Sequence, residues 1–417
     1  YLEIYEFHTL TEGATGEIRK NIQAMWKELL VENREDKIAL VETPQEEAKG
    51  NVFMDIIKMT QTPAYSVKNP LKIAFIYDRS VEDSRWVYTH ELGRNSIEES
   101  FDGVVVTEKY ENCDTEEAMT SAVDEAVEKG AQMIFTVFPS QMNETLKAAV
   151  KYPKVHFLNC SVNLSSNAVR TYYGRMHEAK FIMGAIAASA AENHKIGYVA
   201  DYPIYGTIAG INAFAIGAAL VDPWAKIYLT WSTKADADWH KEMRELQVDV
   251  LSGPDNIKPH DVSRAYGIYK LDDDGNIVNL AAPVINWGRY YELIVQTVLN
   301  GTWDSAQVAE KNQAINYWYG MSARVIDVIL SDRISYYSVK LANMLKKALV
   351  DARIQIFGGE LHSQEGLVKP ADNEGLTGEE IVNMDWLNDN VIGTVPSMEE
   401  LVVQVQDVVS VSGVKKQ

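Results

Sequence analysis

Residues 72–78 read KIAFIYD, and the fold turns on them. The run is short, rich in β-branched and aromatic side chains, apolar at odd and even positions alike, and stops at an acid. Such a run is a strand buried on both faces, as in a parallel sheet covered by helices above and below. A helical pattern follows to about Phe101, and then the pair repeats. Residues 103–110 (GVVVTEKY) form a second strand, and the helix after them has Thr115 as N-cap and Gly130 as its stop. Residues 132–138 (QMIFTVF) are a third strand, Pro139 and Ser140 turn the chain, a helix runs through 146–152, and residues 154–160 (KVHFLNC) are a fourth. Strand and helix alternating at this length imply βαβ units around a parallel sheet.

A second series opens after Ser165. Strands are expected at 169–174, 195–201 (KIGYVAD), 226–231 (KIYLTW) and 248–252, separated by helices at 177–193, 207–220 and 236–246. Strands after about Ala265 and at 283–287 come too late to extend this series simply, so the chain must cross back between two lobes. The expected fold class is α/β, with two Rossmann-like lobes of parallel sheet joined by a multi-strand hinge. The expected units are an N-terminal extension, partly helical, at 1–70, a first lobe of 71–165 with about 276–310, a second of 166–275 with about 311–369, and a C-terminal extension at 370–417. In the extensions, 17–30 resembles an amphipathic helix, 52–59 is a short apolar segment, and the Val-rich stretch 401–411 suits an edge strand or a helix, which periodicity does not decide. Ligands of open α/β sheets bind outside the carboxyl ends of the strands, so two facing lobes hold one ligand between two sets of strand-end loops.

Composition narrows the partners. A formal charge of −20 argues against nucleic acid or an anionic membrane surface, both of which need basic patches. No run approaches the roughly 20 apolar residues of a membrane-spanning helix. Cys113 and Cys160 have no metal-like spacing and read as buried thiols, so neither a metal nor a disulfide framework is expected. No cofactor fingerprint occurs either. GxSxG, HExxH, the P-loop and a strand-turn-helix GxGxxG are all missing, and His177 and Glu178, adjacent on a helix, point about 100° apart. Residues 271–276 (LDDDGN) suggest a calcium loop but lack the later ligands, and DG there reads as a β-turn. The expectation is a protein that binds without catalysis.

The order of IAFIYDRSVEDSRW at 73–86, KYPKVHFLN at 151–159, HEAKFIMGAIAA at 177–188, KIGYVAD at 195–201 and INAFAIGA at 211–218 resembles the basic-membrane-protein family. These are PnrA-like substrate-binding components of ABC transporters, and the similarity covers about 71–369. The resemblance implies a periplasmic-binding-protein type I fold, a purine nucleoside as ligand, an ABC permease as partner, and a place at the cell envelope as a membrane-associated lipoprotein. Since the sequence begins at Tyr1, any anchor would lie in a segment before it, and a cytoplasmic location is the alternative.

It also implies site residues. Asp78 matches an acidic residue near the ligand, where a carboxylate accepts from ribose hydroxyls or a base N–H; a turn-forming Asp capping the next helix suits the position equally. Trp86 stands where the family has an aromatic that stacks on the purine, and a core tryptophan is the other reading. Asn143 or Glu144 falls near a third-strand acidic position. Asp201, Tyr202 and Tyr205 follow a second-lobe strand end, with Tyr205 as the preferred lid over the base; interface packing between lobes is its alternative. The sequence departs from the family at 267–271 (GIYKL), where Tyr269 replaces an expected Asp, leaving Asp255 and Asn256 as polar contributors. Two function classes stay open: a transport receptor whose closed form a permease recognises, and a ligand-sensing regulatory module without a transporter.

Overall fold

The computed structural model describes residues 64–414 apart from 163, 165, 258, 272–275 and 304–314. The expected N-terminal helix and apolar segment and the 272–275 turn lie outside the described residues. In chain order, β1 (Leu71–Ile76), α1 (Arg85–Ser100), β2 (Val105–Tyr110), α2 (Glu116–Glu128), β3 (Met133–Thr136), α3 (Met142–Lys151), β4 (His156–Cys160) and β5 (Val169–Gly174) come first. The chain continues through α4 (Met176–Ala190), β6 (Lys195–Ala200), α5 (Thr207–Val221), β7 (Lys226–Trp231), α6 (Trp239–Glu245), β8 (Val250–Ser252), β9 (Ile268–Leu271) and β10 (Ile277–Ile285). After α7 (Trp287–Leu299), β11 (Tyr317–Tyr319), β12 (Ile326–Leu330) and α8 (Tyr336–Val350) lie the hairpin β13 (Leu361–Ser363) and β14 (Gly366–Lys369), then α9 (Gly378–Val382), β15 (Val391–Ile392) and α10 (Val403–Ser412).

The expected caps form: Thr115 accepts from the Ala118 N–H at the start of α2, and Gly130 closes its end at φ +93°. The first sheet runs β11-β5-β4-β3-β1-β2 with every pair parallel. The second runs β12-β10-β9-β8-β6-β7-β15; it is parallel from β8 through β15 and antiparallel across β9, β10 and β12. Residues 169–174 therefore pair with β4 in the first sheet, where the sequence suggested the start of the second series. Parallel neighbours joined by so short a link are unusual, and the link reads as a break. Trp287, read as the end of a strand, instead follows the N-cap Asn286 into α7.

The chain changes sheets after β5, after β10 and after β11, since α7 packs on α1 and β11 joins the first sheet. In the second lobe α4 lies directly on α5. A Cβ at Gly184 would sit 2.0 Å from the Phe214 carbonyl oxygen, and one at Gly217 would sit 1.9 Å from that of Phe181, so two glycines let the backbones touch. The C-terminal extension is tied to the same lobe. Asn212 donates to the Trp386 carbonyl at 2.7 Å and accepts from the Asn388 N–H at 2.8 Å, and β15 extends the sheet beside β7.

Candidate ligand cleft

Strand ends of both sheets face one another, and the groups they carry meet there. After β1, Asp78 is buried, with Oδ1 lacking a hydrogen-bond partner and Oδ2 3.6 Å from the Arg79 guanidinium. Burial pushes its carboxyl up to about 6, against the opposing pull of Arg79. It does not cap α1; Ser84 does, accepting from Val87 N at 3.2 Å. A buried acid with a spare acceptor and no capping duty is a group waiting for a donor.

Trp86, half-buried in the first turn of α1, donates its indole N–H to the Val137 carbonyl at 2.7 Å. Its ring lies near-parallel to Tyr173 at 6.3 Å and edge-on to Trp287 at 5.5 Å. One end is thus anchored in the core, while Trp86 and Tyr173 remain half-exposed. From the other lobe Tyr202 reaches Phe138 beyond β3, with ring centroids 6.2 Å apart. Burial raises its hydroxyl; the Arg79 charge opposes this, and Asp201 and Asp78 reinforce it, so Tyr202 shares a field with both first-lobe charges.

Asp201, after β6, keeps an open face to solvent while protein walls it on most sides, as at the mouth of a cleft. Burial raises its carboxyl; the Ser232 hydroxyl it accepts from, and Arg85 of the first lobe, pull the other way. Deeper in, Lys180 of α4 is buried, pairs with Asp255 beyond β8, and lies 5.1 Å from the Tyr198 ring. Burial would discharge this ammonium, but the Asp255 carboxylate outweighs that and holds it charged.

The structure thus brings together Asp78, Trp86, Asp201, Tyr202 and Asp255. Asn256, beside Asp255, is half-buried. Tyr205 lies at the lobe junction, packed with Val162, Tyr173, Ile315, Trp318 and Val382. Asn143 is exposed on α3 and Glu144 pairs with Lys147 at 2.8 Å, so neither joins the cluster. Tyr269 is buried against Met243, Val248 and Leu251, in apolar packing that replaces the expected polar contact. Sequence reasoning missed Arg85, Phe138, Tyr173 and Lys180; a lone lysine inside the apolar run HEAKFIMGAIAA was the available signal. His177 and Glu178 lie elsewhere, lining with Arg175, Trp318 and Phe357 a cavity of about 240 Å³ near the hinge. Glu178 there accepts from Met321 N and faces Arg175. Among the described residues no group of three or more His, Cys, Asp or Glu is placed to hold a metal ion, and no helix is long and apolar enough to cross a membrane.

Two sheets linked by repeated crossings, with charged and aromatic groups meeting between their strand ends, define a two-lobed α/β protein with a candidate small-molecule site between its lobes. The chain belongs to the Bmp family of PnrA-like ABC transporter substrate-binding proteins, whose family model matches residues 71–357. It is similar to a purine-binding protein of Brucella abortus, 25% identical over 73% of this chain and 87% of the relative. It is also similar to a putative ABC transporter glucose-binding protein of Haloferax volcanii, 22% identical over 78% of this chain and 81% of the relative. Among solved structures, a transcriptional activator of the comK gene from Bacillus halodurans matches with a TM-score of 0.53 at 16% identity, over 68% of this chain and 99% of that one. An ABC transporter solute-binding protein from Conexibacter woesei matches with a TM-score of 0.50 at 15% identity, over 68% and 98%. These likenesses show the two-lobed α/β fold with parallel sheets. The family makes the chain a substrate-binding protein of ABC transporters, with a small-molecule ligand and a permease partner.

Proposed function

We propose that the cleft closes on a purine nucleoside, presents it unchanged to a permease, and does so outside the cytoplasm at the cell envelope. The observation that carries the reading is Asp78, buried at the end of β1 with an acceptor oxygen unpaired, in the same field as Tyr202. A carboxylate held there pairs with a ribose hydroxyl or a base N–H. The flat surfaces of Trp86 and Tyr173 on one side and Tyr202 on the other suit a purine ring, since stacking on aromatics is worth about 1–3 kcal/mol per base. The purine-binding relative points the same way. Aromatic faces with carboxylates also suit a sugar, and the glucose-binding relative keeps that as the competing occupant.

A thermal-shift panel of purine and pyrimidine nucleosides, free bases and glucose tests the assignment, because a ligand bound by the folded state alone raises Tm with its binding free energy. Purine nucleosides should give the largest shift. A shift from glucose with none from nucleosides would overturn the nucleoside reading.

A further inference from the structure

The region matched by the family model ends at residue 357, yet the chain returns to the cleft well beyond it. Ser397 and Glu400 form a capping box, and the following residues dock on the loop after β7. Ala235 N donates to the Glu400 carbonyl at 2.8 Å, Val402 N donates to the Thr233 carbonyl at 3.0 Å, and the Lys234 ammonium lies 3.1 Å from the Glu400 carboxylate. Helix α10 then crosses to the loop after β6, where Tyr205 N donates to the Ser412 carbonyl at 2.9 Å and Val414 N donates to the Pro203 carbonyl at 3.1 Å. These two loops hold Asp201, since the Ser232 hydroxyl donates to its carboxylate and the Thr233 hydroxyl to its carbonyl. Between its anchors α10 packs against the 139–141 turn of the first lobe, beside the Phe138 that Tyr202 touches.

The helix buries Val405, Val408 and Ser412, one stripe at helical spacing. Two of the three are apolar. Ser412 is 3% exposed, and its hydroxyl has no hydrogen-bond partner. A buried hydroxyl without a protein partner costs free energy and is an available hydrogen-bonding group. We propose that residues 397–414 form a third wall of the ligand cleft, carried by the second lobe, and that the Ser412 hydroxyl hydrogen-bonds a polar edge of the ligand. The segment is fixed to the second lobe by backbone bonds and only approaches the first at the 139–141 turn, so it travels with the second lobe when the cleft opens.

This rests on the cleft being the ligand site, and two variants of the full chain separate the claims. Ser412→Ala should leave the ligand-free Tm unchanged or raise it, because the hydroxyl has no protein partner to lose, and should weaken nucleoside binding about 3- to 10-fold, the loss of one hydrogen bond. Unchanged affinity would remove Ser412 from the site. Ser412→Trp needs no ligand: an indole between the lobes props them apart, and small-angle scattering should show a larger radius of gyration than the parent. A lowered Tm with an unchanged radius would mean the side chain is packed inside one lobe and would overturn the wall. If Ser412→Trp does not fold, thiol labelling of Ser412→Cys decides, since both native cysteines are buried. Labelling slowed by ligand supports the wall, and labelling that only unfolding permits refutes it. Should the parent bind no nucleoside while Ser412→Trp still opens the lobes, the nucleoside assignment fails and the wall stands.

Discussion

Replacing Asp78 with Asn should stabilise the empty protein and weaken ligand binding together. The native carboxyl is raised from 3.8 to about 6 chiefly by burial, so the folded state holds this proton more tightly than the unfolded chain does. An acid with a raised folded pKa costs stability in full above that value, and the cost disappears as pH falls through 6 towards 3.8. About two units at roughly 1.4 kcal/mol each make the penalty about 3 kcal/mol near pH 8. Asp78→Asn carries no charge to bury. Urea unfolding should therefore find the variant about 2–3 kcal/mol more stable than the parent at pH 8, with the difference shrinking towards zero near pH 4. Binding of a purine nucleoside should fall about 10- to 100-fold, the value of a hydrogen bond to a charged acceptor. A stability difference independent of pH, or a variant less stable at pH 8, would refute the reading of Asp78 as a buried carboxylate whose burial outweighs the pull of Arg79.

Further outcomes follow from the same geometry. Trp86→Ala should weaken nucleoside binding by about 1–3 kcal/mol, whereas Trp86→Phe, which keeps a ring and loses only the bond to Val137, should retain most of it in a calorimetric titration. Gly217→Ala pushes a methyl into the Phe181 carbonyl oxygen 1.9 Å away and should cost about 1–3 kcal/mol or more in urea unfolding. Asp255→Ala strands the buried Lys180 ammonium and should destabilise by about 3 kcal/mol; a smaller loss for Lys180→Met/Asp255→Ala than for Asp255→Ala alone would show that the stranded charge is the cause.

The first lobe was legible because its inner strands β1 and β3 are buried on both faces over most of their length. KIAFIYD and QMIFTVF are apolar through most of their length, and the caps at Thr115 and Gly130 bracket a helix as local chemistry requires. The lobe change was misplaced because β5 joins β4 through an unusually short link. At the C-terminus, LVVQVQDVVSV carries β-branched residues that favour a strand, yet it is mostly helix, and spacing buries Val405, Val408 and Ser412 together. Tertiary contacts overrode the local preference there. Asp78 and Asp201 were legible as acids at strand ends. Arg85 and Phe138 were not, because their place in the site depends on how the facing lobe approaches, which no local pattern encodes. Tyr269 marks the limit of residue-by-residue transfer: it stands at an expected acidic position and instead fills an apolar pocket beside Met243.

The measurement that bears most directly on the central claim is a calorimetric titration of the protein with inosine, with glucose titrated in parallel. A cleft that closes on a purine nucleoside predicts saturable one-to-one binding of inosine with a negative heat-capacity change from the apolar surface it buries, and no comparable heat from glucose. Saturable binding of glucose with none of inosine would contradict the account.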